Sequence, residues 1–117
     1  ILDAYNANPS SMEAAIKSFH NAYPRKSIVI LGDMLELGKI SSKSHKEVIK
    51  LLNKLSFSRS ILIGENFEKI KTESKSFDKF KSTQALTKYL KTNSIKEKHI
   101  LIKGSRSMAM EKLLPFF

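Results

Sequence analysis

The chain has 117 residues, of which 41% are hydrophobic and 27% charged, and this balance predicts one folded domain instead of a disordered or fibrous chain. It contains no cysteine, which excludes a disulfide framework, a thiolate zinc site and a cysteine nucleophile. The formal net charge of +10 raises nucleic acid or an anionic surface as partner classes.

Short apolar runs mark the predicted strands. Three of them, at residues 28–31, 61–63 and 100–102, are continuous and rich in β-branched side chains, as strands buried on both faces of a parallel sheet are. Residues 1–5 are predicted to form a first strand and residues 77–80 a weaker one. Each of the three central runs is soon followed by glycine and then by polar residues. Open α/β sheets bind ligands at such junctions.

Segments with helical spacing separate these runs. The first opens at Pro9, and Ser10 and Glu13 have the spacing of a capping box, which Ser44 and Glu47 repeat in the second. Further helices are predicted after Asn66, from Thr83 and across residues 108–117. The alternating order predicts an α/β fold with a mostly parallel sheet of five or six strands and helices on both faces.

Three polar segments follow predicted strands and could carry chemistry. Residues 3–11 suit sugar hydroxyls, an adenine edge or an anion, and are equally ordinary turn and cap residues. Asp33 and Glu36 could hold a cation or an amine, or could be helix-start and turn residues. Ser105 and Arg106 could form an anion site, or be a capping serine beside an exposed arginine.

Other candidate chemistry is weaker. The three histidines, His20, His45 and His99, have no second histidine or carboxylate at metal-ligand spacing and are predicted to be structural. The sequence has no G-x-G-x-x-G and no G-x-x-x-x-G-K-[ST] motif, so it has no self-contained dinucleotide or P-loop site.

Three motifs, in chain order, resemble those of a known family. They are Asp3-x-Tyr5-Asn6-Ala7-Asn8-Pro9-x-Ser11-Met12, Leu31-Gly32-Asp33-Met34-x-Glu36-Leu37-Gly38 and Lys103-Gly104-Ser105-Arg106-x-Met108-x-Met110-Glu111. In this order and spacing they resemble the C-terminal domain of the Mur ligases, from residue 1 to about residue 114. The first and second motifs resemble the member that adds a D-Ala-D-Ala dipeptide more than its glutamate-adding or tripeptide-adding relatives.

The resemblance implies that residues 1–117 are a single Rossmann-like, three-layer domain that closes over a central ATPase domain of the same polypeptide. It implies an enzyme that uses ATP and Mg²⁺ to join D-Ala-D-Ala to UDP-MurNAc-tripeptide through an acyl phosphate, in peptidoglycan precursor synthesis. The family's P-loop and metal-binding residues belong to the central domain. The isolated domain is therefore expected to be inactive, with no catalytic residue or metal ligand of its own. The start without methionine likewise suggests a piece of a longer polypeptide.

The resemblance also divides a cleft between two substrates. Asp3 is expected to bind the ribose hydroxyls of ATP, and Arg106 the terminal carboxylate of D-Ala-D-Ala. The other residues expected on the nucleotide side are Tyr5, Asn6 and Asn8, and those expected on the dipeptide side are Asp33, Glu36 and Ser105.

The competing interpretation is a non-catalytic α/β binding module, in particular a basic nucleic-acid-binding domain. Residues 39–99 hold 15 basic and 6 acidic groups, but the chain has 18 lysines and only 3 arginines, whereas base and phosphate recognition favour arginine. A lysine-rich solvated surface is the preferred interpretation, with no nucleic-acid or membrane partner. No apolar run approaches the roughly 18 residues that span a bilayer. A monomer in the bacterial cytoplasm is expected.

Overall fold

The computed structural model describes residues 2–3, 7–72, 77–97 and 99–117. Within these ranges one sheet contains five parallel strands in the order β1-β5-β2-β3-β4. The strands are β1 (Leu2–Asp3), β2 (Ser27–Gly32), β3 (Arg59–Ile63), β4 (Phe77–Phe80) and β5 (His99–Lys103). The α-helices are α1 (Pro9–Ala22), α2 (Ser41–Leu55), α3 (Glu65–Glu68) and α4 (Thr83–Leu90). The predicted α/β class, parallel sheet and number of strands are confirmed, although β1 contributes only two residues.

Two hydrophobic clusters cover the two faces of the sheet. Val29 and Leu31 of β2 pack in the cluster that contains residues of α1, α2 and α3. Ile28 and Ile30 pack in the second cluster, which contains residues of α4 and of the C-terminal segment. Because successive side chains of a strand point to opposite faces, a strand covered on both sides needs an unbroken apolar run.

The start of α1 differs from the prediction in its cap. The helix begins at Pro9, but Asn8 is its N-cap: the Ser11 backbone N–H donates to Asn8 Oδ1 at 2.9 Å, and the Asn8 N–H donates to Ser11 Oγ at 3.1 Å. The predicted Ser10–Glu13 box is therefore wrong. Glu13 instead pairs with Lys17 on the exposed face, and the hydrogen bond and charge of Lys17 lower the pKa of the Glu13 carboxyl.

The start of α2 also lies earlier than predicted. A short 3-10 helix at Gly38–Ile40 leads directly into Ser41, so Ser44, expected to be the cap, is a buried residue inside the helix. Ser82 caps α4 by accepting from the Ala85 N–H, in agreement with a helix from Thr83.

The C-terminal segment is 3-10 rather than α-helical. It consists of Arg106–Met108 and Met110–Phe116, separated by Ala109 at φ 53°, and it buries Met110 and Leu113 against the sheet. None of the described helices is both long and apolar enough to cross a membrane.

Candidate functional site

The candidate site lies where β1, β2 and β5 end. In the parallel register Asp3 is aligned with Lys103, and Lys103 is aligned with Leu31. The three strands therefore end at the same edge of the sheet and next to one another. The three motifs recognised in the sequence contribute these strand ends and the described loop residues that follow them, 7–8, 33–37 and 104–107.

One surface pocket of about 460 Å³ joins the three loops. Its lining residues are Ala7, Asn8, Leu35, Glu36, Ser105, Arg106 and Ser107. The pocket thus brings one residue predicted for the nucleotide side, Asn8, together with three predicted for the dipeptide side. Glu36 and Arg106 are exposed at its surface, so a carboxylate and a guanidinium face the same space.

The loop between β2 and α2 places its two carboxylates in opposite environments. Asp33 is only 3% exposed and does not line the pocket. Its Oδ2 accepts from the Asn66 N–H at 2.9 Å and its Oδ1 from the Phe67 N–H at 3.0 Å, so the carboxylate caps α3. Of the two interpretations of this loop, the structure thus gives Asp33 the helix-start role. Glu36 is exposed to solvent, whereas Asp33 is buried, so the two groups do not form a paired carboxylate site. The backbone of Glu36 has a φ of 61°.

Gly64 explains how the Asp33 carboxylate approaches α3 so closely. It precedes the helix at φ 121°, a conformation that favours glycine, and a Cβ built there would overlap the Asp33 carboxylate. A short helix with no side-chain cap of its own thus receives one from the end of β2.

The polar residues of the third motif differ in burial: Lys103 is buried, Ser105 is half-buried and Arg106 is exposed. Lys103 is 1% exposed at the end of β5, so this lysine does not belong to the pocket surface. Ser105 is half-buried and its hydroxyl donates to the Asp33 carbonyl oxygen at 3.2 Å, which ties this loop to the end of β2. Ser105 makes no capping bond to the following 3-10 helix, contrary to the capping alternative.

The residues of the first motif are described only in part. The backbone of Asp3 lies in β1 beside β5. Tyr5 and Asn6 lie outside the described residues. Asn8 uses its side-chain oxygen to cap α1 and lines the pocket, and its side-chain NH2 group donates to none of the described residues.

Sequence analysis missed the pocket residues Ala7, Leu35 and Ser107 as lining residues. All three belong to or adjoin the recognised motifs, and their proximity to polar site residues was the available signal. His45 was predicted to be structural, and it is fully buried, but it also accepts a hydrogen bond from the Met34 N–H, in the segment between β2 and α2. In the described part of the chain no group of three or more histidine, aspartate or glutamate side chains could hold a metal ion.

Comparison with known proteins gives a consistent result. The family model for Mur ligase, glutamate ligase domain, matches residues 1–106. The UDP-N-acetylmuramoyl-tripeptide–D-alanyl-D-alanine ligase of Buchnera aphidicola from Acyrthosiphon pisum is 36% identical over 96% of this chain, and that of Escherichia coli K12 is 34% identical over 96%. In both cases this chain spans 25% of the relative.

A solved structure supports the fold independently. The crystal structure of MurF ligase from Thermotoga maritima in complex with ADP superposes with a TM-score of 0.76 and 29% identity, over 98% of this chain and 26% of that one. The chain thus corresponds to about a quarter of the length of these relatives. The matched family model spans all but the last 11 residues, and the chain therefore belongs to the Mur ligase family, as its glutamate ligase domain.

Proposed function

We propose that this chain is the C-terminal domain of a ligase that joins D-Ala-D-Ala to UDP-MurNAc-tripeptide with ATP. The observation that carries the proposal is the convergence of Asn8, Glu36, Ser105 and Arg106 on one pocket at the carboxyl edge of the sheet. The relatives named above are ligases of this specificity and align over nearly the whole chain. None of them is named as a nucleic-acid-binding protein.

The pocket chemistry suits a dipeptide with two opposite charges. A guanidinium binds a carboxylate through two parallel hydrogen bonds, so Arg106 is proposed to bind the C-terminal carboxylate of D-Ala-D-Ala. Glu36, exposed in the same pocket, is proposed to attract the dipeptide amine. Ser105 donates its hydroxyl hydrogen to the Asp33 carbonyl and so can offer the ligand its oxygen as an acceptor. Asp33 would act on this side through the loop that it begins, because its carboxylate caps α3.

The nucleotide side is proposed to lie toward β1 and the start of α1. Asp3 would bind the ribose hydroxyls of ATP, and Asn8, with Tyr5 and Asn6, would shape the adjoining wall. The carboxyl edge of a parallel sheet is the usual place for such a ligand. The Thermotoga maritima relative is described in complex with ADP, which supports the use of an adenine nucleotide by the proposed ligase.

The reaction is proposed to need a central domain on the same polypeptide. ATP would supply the phosphoryl group that activates the tripeptide carboxylate, and Mg²⁺ would balance the phosphate charge. We assign the ion to the central domain, where the family resemblance implies that the metal-binding residues lie. We further propose a monomer that works in the bacterial cytoplasm.

Two substitutions in the full-length ligase test the division of the cleft. Asp3→Ala should raise the KM for ATP far more than the KM for D-Ala-D-Ala, because it removes a ribose ligand. Arg106→Ala should do the reverse and raise the KM for D-Ala-D-Ala about 10- to 100-fold, the usual effect of losing a charged hydrogen-bond pair. Steady-state kinetics with each substrate varied in turn measures both effects.

Arg25→Ala is the matched control. Arg25 is exposed just before β2, at the opposite edge of the sheet, and lines a different surface pocket. We expect its loss to change neither KM by more than about twofold. This result would show that the effect of Arg106→Ala is not caused merely by the removal of one positive charge. Equal effects of Asp3→Ala and Arg106→Ala on the two substrates would refute the proposed division.

A further inference from the structure

His45 lies beneath the pocket loop, which we define as residues 33–37. It belongs to the first half of α2 and is fully buried. The Met34 backbone N–H donates to His45 Nε2 at 3.0 Å, so this nitrogen carries no hydrogen. The proton is therefore on Nδ1, which lies 2.7 Å from the Ser41 carbonyl oxygen and donates to it. Both ring nitrogens are used, and the hydrogen bonds define one neutral tautomer.

The ring itself is fixed from two further sides. Its edge-to-face contact with Phe67 has a centroid distance of 4.6 Å and an interplanar angle of 81°. Asp33 Oδ1 lies 3.8 Å from Nε2. The position of the imidazole is thus set by α2, by α3 and by the capping carboxylate, and none of these contacts depends on the exposed part of the loop.

Consecutive backbone groups at the start of the pocket loop are held by three different elements. The Asp33 N–H donates to the Ile63 carbonyl at the end of β3, and the Asp33 carbonyl accepts from Ser105 Oγ. The next N–H group, that of Met34, is held by His45. Two residues later the backbone of Glu36 has a positive φ, which an L-residue adopts at an energetic cost and keeps only where its surroundings impose it.

We propose that His45 is a positioning residue for the ligand pocket: by holding Met34, it fixes the direction in which the loop leaves the sheet and so presents Glu36 to the ligand. The inference deepens the proposed function, since the ligand in question is the D-Ala-D-Ala dipeptide. The Met34 side chain is fully buried, whereas the next two residues, Leu35 and Glu36, are exposed and line the pocket. A change in the backbone direction at Met34 would therefore displace these two pocket residues.

A set of substitutions separates the acceptor role of His45 from its packing role. His45→Gln places a side-chain oxygen near the former Nε2 position and can still accept from Met34. His45→Asn places its amide near the former Nδ1 position and cannot reach Met34. His45→Phe retains the ring and its contact with Phe67 but has no acceptor. The Gln and Asn variants are both polar and uncharged, so their comparison remains informative if the Phe variant fails to fold.

Two measurements report on the inference at different levels. In the 117-residue chain, amide hydrogen exchange at Met34 and the ¹H–¹⁵N shift of Glu36 report on the loop. We expect exchange at Met34 to accelerate at least about tenfold in the Asn and Phe variants and less than about threefold in the Gln variant, as for loss of one buried hydrogen bond. In the full-length ligase, the Asn and Phe variants should raise the KM for D-Ala-D-Ala about tenfold, with kcat and the KM for ATP within about twofold.

His20→Phe is the control, because His20 is also in a helix and also contacts a phenylalanine, Phe57, edge to face at 5.5 Å. It should leave the Met34 exchange rate and both KM values unchanged. The inference is wrong if Gln and Asn behave alike, or if the two KM values rise together. A ligase that proves not to use D-Ala-D-Ala would refute the proposed function, while the exchange rates would still decide whether His45 holds the loop.

Discussion

Asp33 and Glu36 show how two carboxylates three residues apart acquire different roles. A buried carboxylate needs hydrogen-bond partners, and Asp33 obtains them from the N–H groups of Asn66 and Phe67. These partners are 33 and 34 residues further along the chain, so local spacing could not identify them. Both carboxylates could be recognised from their motif, but only the packing of α3 against the end of β2 distinguishes the cap from the pocket residue.

The fit between Gly64 and the Asp33 carboxylate leads to a prediction on stability. Gly64→Ala should lower the free energy of unfolding by about 3 kcal/mol, since it adds a positive-φ penalty to overlap with a buried carboxylate. Urea denaturation followed by circular dichroism measures the change.

Gly38→Ala provides the comparison. Gly38 also has a positive φ, of 57°, but a Cβ there would have no atom within 4 Å. Its cost should be only about 1 kcal/mol, from backbone conformation alone. If the two alanine variants lose the same stability, contact with Asp33 contributes nothing at Gly64.

At the scale of elements, strands were easier to predict than helix ends. The continuous apolar runs identified β2, β3 and β5 because burial on both faces leaves a signal in every residue. The cap of α2 was misplaced because Ser44 and Glu47 imitate a capping box, while the helix in fact continues from a 3-10 turn without a side-chain cap. The C-terminal segment was expected to have helical spacing, but Ala109 in the left-handed region and Pro115 interrupt it, and it adopts 3-10 turns.

The cap of α1 allows its structural role to be separated from ligand binding. Asn8→Ser should retain the N-cap and keep the free energy of unfolding within about 0.5 kcal/mol, whereas Asn8→Ala should lose about 1 kcal/mol. Neither variant keeps the side-chain NH2 group on the pocket wall. If that group contacts the nucleotide, both variants should raise the KM for ATP in the full-length ligase by a similar factor. An ATP KM that follows stability instead would mean that Asn8 acts only as a cap.

At the scale of the whole molecule, the described pocket is one open wall rather than an enclosed site. The sequence has no P-loop motif, and the described residues include no metal-binding cluster. We therefore expect the 117-residue chain to release no phosphate from ATP in the presence of D-Ala-D-Ala and UDP-MurNAc-tripeptide. A coupled phosphate assay, with the full-length ligase as positive control, measures this. Substrate-dependent phosphate release by the isolated chain would overturn the assignment of catalysis to a partner domain.

The position of β5 between β1 and β2 has a consequence for biosynthesis. Leu2–Asp3 is synthesised before β2, β3 and β4, and His99–Lys103 after them, yet these two segments are direct neighbours in the sheet. During translation β2, β3 and β4 can associate in sequence, while β1, which among the described strands pairs with β5 alone, pairs only after β5 has been made. The pocket is lined by residues that follow β1 and β5, so it can be completed only after the strands between them in the chain have been made.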